Sequence, residues 1–190
     1  MKICVYGASS RTLEEIYYNS TFELGKRIAE HGHSLIFGGG TTGVMGAVAR
    51  GAKDGNGKVI SVVPKFFDLP GILFDRVDET IFTETMSERK EIMEHMADAF
   101  IVAPGGTGTF EEFFEAFTLK QLGQITKPIA IFNVKGYFDP LVELINHAMK
   151  ENFLKPECAD IFEVFTDIDE MLYYVETLKE EPRDLRKLKY

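Results

Sequence analysis

Residues 103–118 read APGGTGTFEEFFEAFT, and the groups able to do chemistry crowd into this stretch. Gly105, Gly106, Thr107, Gly108 and Thr109 follow an apolar run and stand directly before a helical pattern that opens with Glu111 and Glu112. A strand, a glycine turn and a helix, in that order, aim free backbone N–H groups at an anion, so the chemistry suggested is phosphate binding. The two acids then stand where a phosphate would sit. A helix N-terminus favours acids through its dipole, so one reading makes them dipole partners. The other makes one of them a catalytic carboxylate beside a bound phosphate, and spacing does not choose between Glu111 and Glu112.

Two more small-residue loops follow apolar runs: Gly7-Ala8-Ser9-Ser10, and residues 38–43, which include Gly39 and Gly40. If all three follow parallel strands, they meet on one sheet edge, and their backbones can approach an anion closely. Ser9, Gly39 and Gly40 thereby become candidate binding residues. The dinucleotide pattern GxGxxG is absent after the first strand, no acid ends the second, and GxxxxGK[ST] is absent throughout. These absences argue against NAD, FAD and P-loop chemistry.

Arg89 lies in a stripe with Met86, Met93 and Met96, Ile92 beside it. An arginine there either snorkels at the stripe's edge or aims its fork at a phosphate or carboxylate. Lys90 stands four residues before Glu94, spacing that suits a solvated helix pair. The four histidines show no metal-ligand pair beside a carboxylate and no Ser-His-Asp set, so they read as structural or solvent-facing, and no metal is expected.

The elements that must position these groups alternate regularly. Strands are expected over 2–6, 34–37, 58–63 (stopped by Pro64), 79–83, 99–103, 128–133 and 161–165. Helices are expected over 13–31, from Val44 through Ala52, over 87–97, from the glycine turn to about Gly123, over 140–150, and after Asp167. Phe110, Phe113, Phe114 and Phe117 define a buried helix face, with Glu111, Glu112, Glu115 and Thr118 off it. Leu141, Leu144, Ile145 and Ala148 define another. Residues 65–78 form an apolar loop without a period, suited to covering a ligand or a second subunit. The pattern predicts a Rossmann-like α/β fold: a doubly wound, mostly parallel sheet with helices on both faces.

The 190 residues suit a single domain, with residues 179–190 as a charged tail packed at most through Leu185 and Leu188. A net charge of −9 argues against nucleic acid and anionic membranes as partners. No run is long enough to span a membrane and no leader is visible. Cys4 and Cys158, far apart, fit a reducing cytoplasm.

Residues 104–112, PGGTGTFEE, with SERK at 87–90 and GGGTTGVMG at 38–46, resemble the LOG (LONELY GUY) family of cytokinin riboside 5′-monophosphate phosphoribohydrolases, a group often misnamed lysine decarboxylases. The pattern PGGxGTxxE is matched in full, and the resemblance covers residues 2–133 apart from 65–85. It implies that Glu112 and Arg89 are the catalytic pair, and that Gly105 to Thr109 hold the nucleotide phosphate. Lys90 and Thr118 become substrate contacts, no cofactor is needed, and the chain forms a dimer or larger homo-oligomer with its site near the interface. The implied reaction frees a purine base and ribose 5-phosphate from a nucleoside monophosphate. A non-catalytic nucleotide sensor or carrier on the same fold is the alternative. The decarboxylase name would need pyridoxal phosphate on a lysine, and Lys53, Lys58 and Lys65 have no such context.

Overall fold

The computed structural model describes residues 1–179. Seven strands, β1 (Lys2–Tyr6), β2 (Ser34–Phe37), β3 (Val59–Pro64), β4 (Glu79–Thr83), β5 (Ala99–Val102), β6 (Ile129–Phe132) and β7 (Glu163–Phe165), form one sheet of order β4-β3-β2-β1-β5-β6-β7. Every neighbouring pair is parallel. The expected doubly wound sheet is therefore present and is wholly parallel. The order reverses between β1 and β5, the point at which an open α/β sheet leaves a crevice beyond its strand ends. Pro64 does not stop β3 but closes it as its last residue. The tail beyond Lys179, with Leu185 and Leu188, lies outside the described residues.

The helices are α1 (Glu15–Glu30), α2 (Gly43–Asp54), α3 (Met86–Met96), α4 (Thr107–Gln121), α5 (Asp139–Lys150) and α6 (Ile168–Thr177). Strand side chains alternate between two cores, as the pleat requires. Ile3, Val5, Leu35 and Ile101 pack with Leu24 and Ile28 of α1, Val44 and Val48 of α2, and Leu172 and Val175 of α6. Cys4, Tyr6, Phe100 and Ile131 pack with Met93 of α3, Phe113 and Phe117 of α4, and Ile145 of α5. No helix among the described residues is long and apolar enough to cross a membrane.

Two expected faces need correction. Leu144, placed inside by periodicity, is 57% exposed, so α5 buries a narrower stripe around Ile145. On α4, Phe114 points out at 37% exposure while Glu112 is 7% exposed. The buried arc of α4 is thus rotated towards Thr109, Glu112, Phe113, Ala116 and Phe117. The four phenylalanines suggested the wrong centre because the carboxylate, not the fourth ring, takes the inward position.

The helices α1 and α2 approach through glycine. A Cβ built on Gly51 would lie 1.8 Å from the Phe22 carbonyl oxygen, and one on Gly25 would lie 2.0 Å from that of Val48. Both clashes are with backbone, so no rotamer change relieves them. Because α2 starts at the loop after β2, this contact also sets where that loop sits. Gly51→Ala should cost about 1–3 kcal/mol or more by forcing the helices apart. Denaturant unfolding checks this, and a loss under about 0.5 kcal/mol, the range of an ordinary surface change, would contradict the close packing.

Candidate active site

A cavity of about 450 Å³ opens beyond the strand ends at the β1/β5 reversal. That volume suits a small organic ligand. Three loops form its floor: Gly7 to Ser10 after β1, Gly38 and Gly40 after β2, and Gly106 to Thr109 at the start of α4. They are knitted together by backbone. Ala8 N–H donates to the Pro104 carbonyl at 3.1 Å, Met45 N–H donates to the Ala8 carbonyl at 3.1 Å, and Thr42 Oγ1 donates to the Ser9 carbonyl at 2.7 Å. Among the described residues no side chain caps α4 at Gly106, so its first-turn N–H groups, which have no intrahelical acceptor, are open to an anion. Gly105 lies beneath this turn. A Cβ there would meet Thr109 Oγ1 at 2.0 Å, and its carbonyl accepts from Tyr137 Oη at 2.6 Å.

The apolar wall comes from residues 65–78. Phe74 N–H donates to the Gly39 carbonyl at 2.9 Å, and Thr41 N–H donates to that of Ile72 at 2.9 Å. This pairing folds Phe67, Ile72 and Leu73 over the cavity beside Met45 and Met86. The loop suspected of covering something therefore walls the cavity. Its individual residues carry no periodic signal in the sequence.

Arg89 and Glu112 meet inside. Arg89 Nη2 donates to Glu112 Oε1 at 3.1 Å, and each side chain is 9% exposed. Arg89 is thus paired and buried rather than snorkelling. Helix α3, which carries it, starts at the N-cap Thr85, whose side chain closes its first turn. Thr85 Oγ1 accepts from Glu88 N–H at 3.1 Å, and Glu88 Oε2 accepts from Glu84 N–H at 2.8 Å. Gly38 makes room for the guanidinium, since a Cβ there would lie 2.0 Å from Arg89 Nη2. Among the described residues Arg89 Nε has no hydrogen-bond partner, which leaves donor capacity for a ligand.

Burial pushes the Glu112 carboxyl up to about 7. The Arg89 guanidinium pulls the other way and Glu111 adds to the rise. A helix N-terminus alone would stabilise the carboxylate, by about 1 kcal/mol, so desolvation outweighs both dipole and partner here. Thr109 and Glu112, three residues apart, share one helix face, and helical side chains lean towards the N-terminus. The carboxylate is therefore directed towards the glycine turn at the start of α4.

The structure brings Ser9, Gly40, Arg89, Gly106, Thr107, Gly108, Thr109 and Glu112 to the cavity. Gly39 and Gly105 support its walls through backbone without lining it. Lys90 and Thr118 do not reach it. Lys90 pairs with Glu111 and, at 2.6 Å, with Glu115 of α4, not with Glu94. Burial alone would lower the Lys90 ammonium, but these two carboxylates outweigh it and leave it raised. Glu111 is accordingly the partner of Lys90, while Thr118 is exposed on the outer side of α4.

The family described as "Possible lysine decarboxylase" matches residues 45–175. The chain is 39% identical over 160 residues to the cytokinin riboside 5′-monophosphate phosphoribohydrolase LOG of Oryza sativa subsp. japonica, a match covering 84% of this chain and 66% of that protein. It is 35% identical over 175 residues to the phosphoribohydrolase LOG2 of Arabidopsis thaliana, covering 92% of this chain and 82% of that one. Among solved structures, the molybdenum cofactor carrier protein of Chlamydomonas reinhardtii superposes with a TM-score of 0.70 at 27% identity, covering 92% of this chain and 95% of that one. A molybdenum cofactor binding protein from Rippkaea orientalis shares the fold, with a TM-score of 0.68 at 21% identity over 93% of this chain and 94% of that one.

The Glu112 carboxyl should titrate near neutral pH. Infrared difference spectra, wild type minus Glu112→Gln, should show a protonated carboxyl that disappears as pH rises through about 7. Arg89→Met should move that midpoint higher, because it leaves a buried carboxylate without its cation. A midpoint at the ordinary value of about 4.3 would contradict the burial.

Proposed function

Because this chain belongs to the family described as possible lysine decarboxylase, among whose relatives are the LOG phosphoribohydrolases, we propose that it hydrolyses the N-glycosidic bond of a nucleoside 5′-monophosphate. The base is a purine, with or without an N6 substituent of the cytokinin kind, and the products are the free base and ribose 5-phosphate. The observation that carries this reading is the buried Arg89–Glu112 pair beside an uncapped helix N-terminus.

The phosphate binds the N–H groups of Gly106 to Thr109, with the loop at Ser9 and Gly40 opposite. The base lies along Met45, Phe67, Ile72, Leu73 and Met86. The ribose then spans the gap with its anomeric carbon towards Glu112. The bond between that carbon and the base nitrogen breaks, its electron pair leaves with the base, and water supplies the oxygen to carbon and a proton to the base. Positive charge builds on the sugar during cleavage, and a fixed carboxylate in a dry site stabilises it. Glu112 serves as that carboxylate, whether as electrostatic partner, base for the water or covalent nucleophile. Arg89 orients it and offers its remaining donors to the substrate. Lys90 holds Glu111 and Glu115 and so fixes α4 against α3. A homodimer or larger assembly belongs to the same proposal: Phe114 and Thr118, four residues apart, share the exposed side of α4, and there Thr118 could meet substrate only across a subunit boundary.

Decarboxylation with pyridoxal phosphate does not fit the residues present. Among the described residues no lysine lines the cavity. Lys53, Lys58 and Lys65 are engaged with Asp78, Glu79 and Glu84. The carrier reading has one observation in its favour, the likeness to the Chlamydomonas protein, and predicts nucleotide or cofactor binding without base release.

Wild-type protein should release adenine and ribose 5-phosphate from AMP, and Glu112→Gln should lose this activity by about a thousandfold or more, roughly the scale of a lost transition-state charge partner. The chemistry needs the ionised carboxylate, so kcat/KM should fall as pH is lowered through about 7. Binding of AMP without any base release by the wild-type protein would favour the carrier.

A further inference from the structure

The corner between α1 and β2 holds two histidines one residue apart, and α6 brings Glu176 onto them. His31 Nδ1 lies 2.8 Å and His33 Nε2 2.7 Å from the same oxygen, Glu176 Oε1. The three candidate ligand atoms lie within 4.8 Å of one another. The side chains are 30%, 11% and 28% exposed for His31, His33 and Glu176, so the cluster is sheltered yet reachable. It sits where β2 begins, on the sheet edge opposite the cavity. This corrects the expectation that no histidine pair stands beside a carboxylate.

We propose that His31, His33 and Glu176 form a binding site for a divalent transition metal of the zinc class. Two imidazoles and one carboxylate are a donor set that holds Zn²⁺ with a fourth position open to water. Ca²⁺ and Mg²⁺ want more oxygen ligands than this corner offers. A tetrahedral site with bonds of about 2.0–2.1 Å separates its ligand atoms by about 3.3 Å. The two histidine–glutamate contacts need to open by only about half an ångström to admit the ion. The ion would take the place of a proton shared between a ring nitrogen and Glu176 Oε1. The net charge of −9 favours a cation.

The site's consequence is structural. His33 and Glu176 are 143 residues apart in sequence, so a shared ion clips the end of α6 to the α1–β2 corner. An ion that binds only the folded chain raises its unfolding temperature. Cys4 and Cys158 are buried and do not compete.

The full-length chain, free of any histidine tag, is titrated with Co²⁺ alone and then with Zn²⁺ alone. One equivalent of Co²⁺ should produce intense visible bands of a low-coordinate site, and Zn²⁺ should bleach them. Zn²⁺ at roughly a hundredfold excess over Kd should raise Tm by about 5–10 °C. His33→Asn and Glu176→Gln should each weaken Co²⁺ binding at least about tenfold while leaving base release from AMP unchanged. Absence of Co²⁺ bands and of any Zn²⁺-dependent Tm shift in the wild type would overturn the proposal, whatever the variants do. Binding undiminished in both variants would overturn it too.

Discussion

The buried pair between Arg89 and Glu112 is the contact on which the rest of the site depends. Taking both charges out of water costs several kcal/mol each, roughly, so they persist there only because the surroundings hold them in place. Arg89 is set by the capped start of α3 and by the space left at Gly38. Glu112 is set by α4, whose buried Thr109, Phe113, Ala116 and Phe117 fix its rotation. Removing either partner strands the other charge, so neither helix can turn without cost. Lys90, the next residue along α3, grips Glu111 and Glu115 of α4 and keeps the two helices in register.

The sheet supplies the second half of the arrangement. Its reversal between β1 and β5 parts the loops enough to leave a cavity, while bonds from Ala8, Thr42 and Met45 keep them from drifting. A phosphate and an ionised carboxylate repel each other in so small a space. The proposed reading accommodates both because the phosphate would rest on backbone N–H groups at the mouth of α4, whereas Glu112 lies further along the same helix, beside its own cation. Under the proposed reaction, that separation lets one helix hold both the phosphate and the sugar.

Most of this was legible in the sequence where a local rule applied. Alternating apolar runs and glycine loops predicted every strand to within a residue or two, and the three loops met on one edge as a parallel sheet demands. Residues failed to read true where tertiary packing outvoted periodicity. Glu112 took the inward place that Phe114 was expected to fill, and Leu144 stayed outside. Lys90 crossed to α4 instead of pairing with Glu94 on its own helix. Gly38 read only as part of a small-residue loop suited to an anion, and the fold shows that its missing Cβ makes room for Arg89. The joining of His31 and His33 to Glu176 spans most of the chain, so no local pattern could carry it.

The central claim is that Arg89 and Glu112 act as one unit, and a double-mutant cycle on base release from AMP tests it most directly. Kinetics of wild type, Arg89→Met, Glu112→Gln and the double variant give the coupling in kcat/KM. A unit predicts that the double variant falls little below the worse single one, a coupling of about 2 kcal/mol or more. Losses that simply add, within about 0.5 kcal/mol, would contradict the claim and make the two side chains independent neighbours.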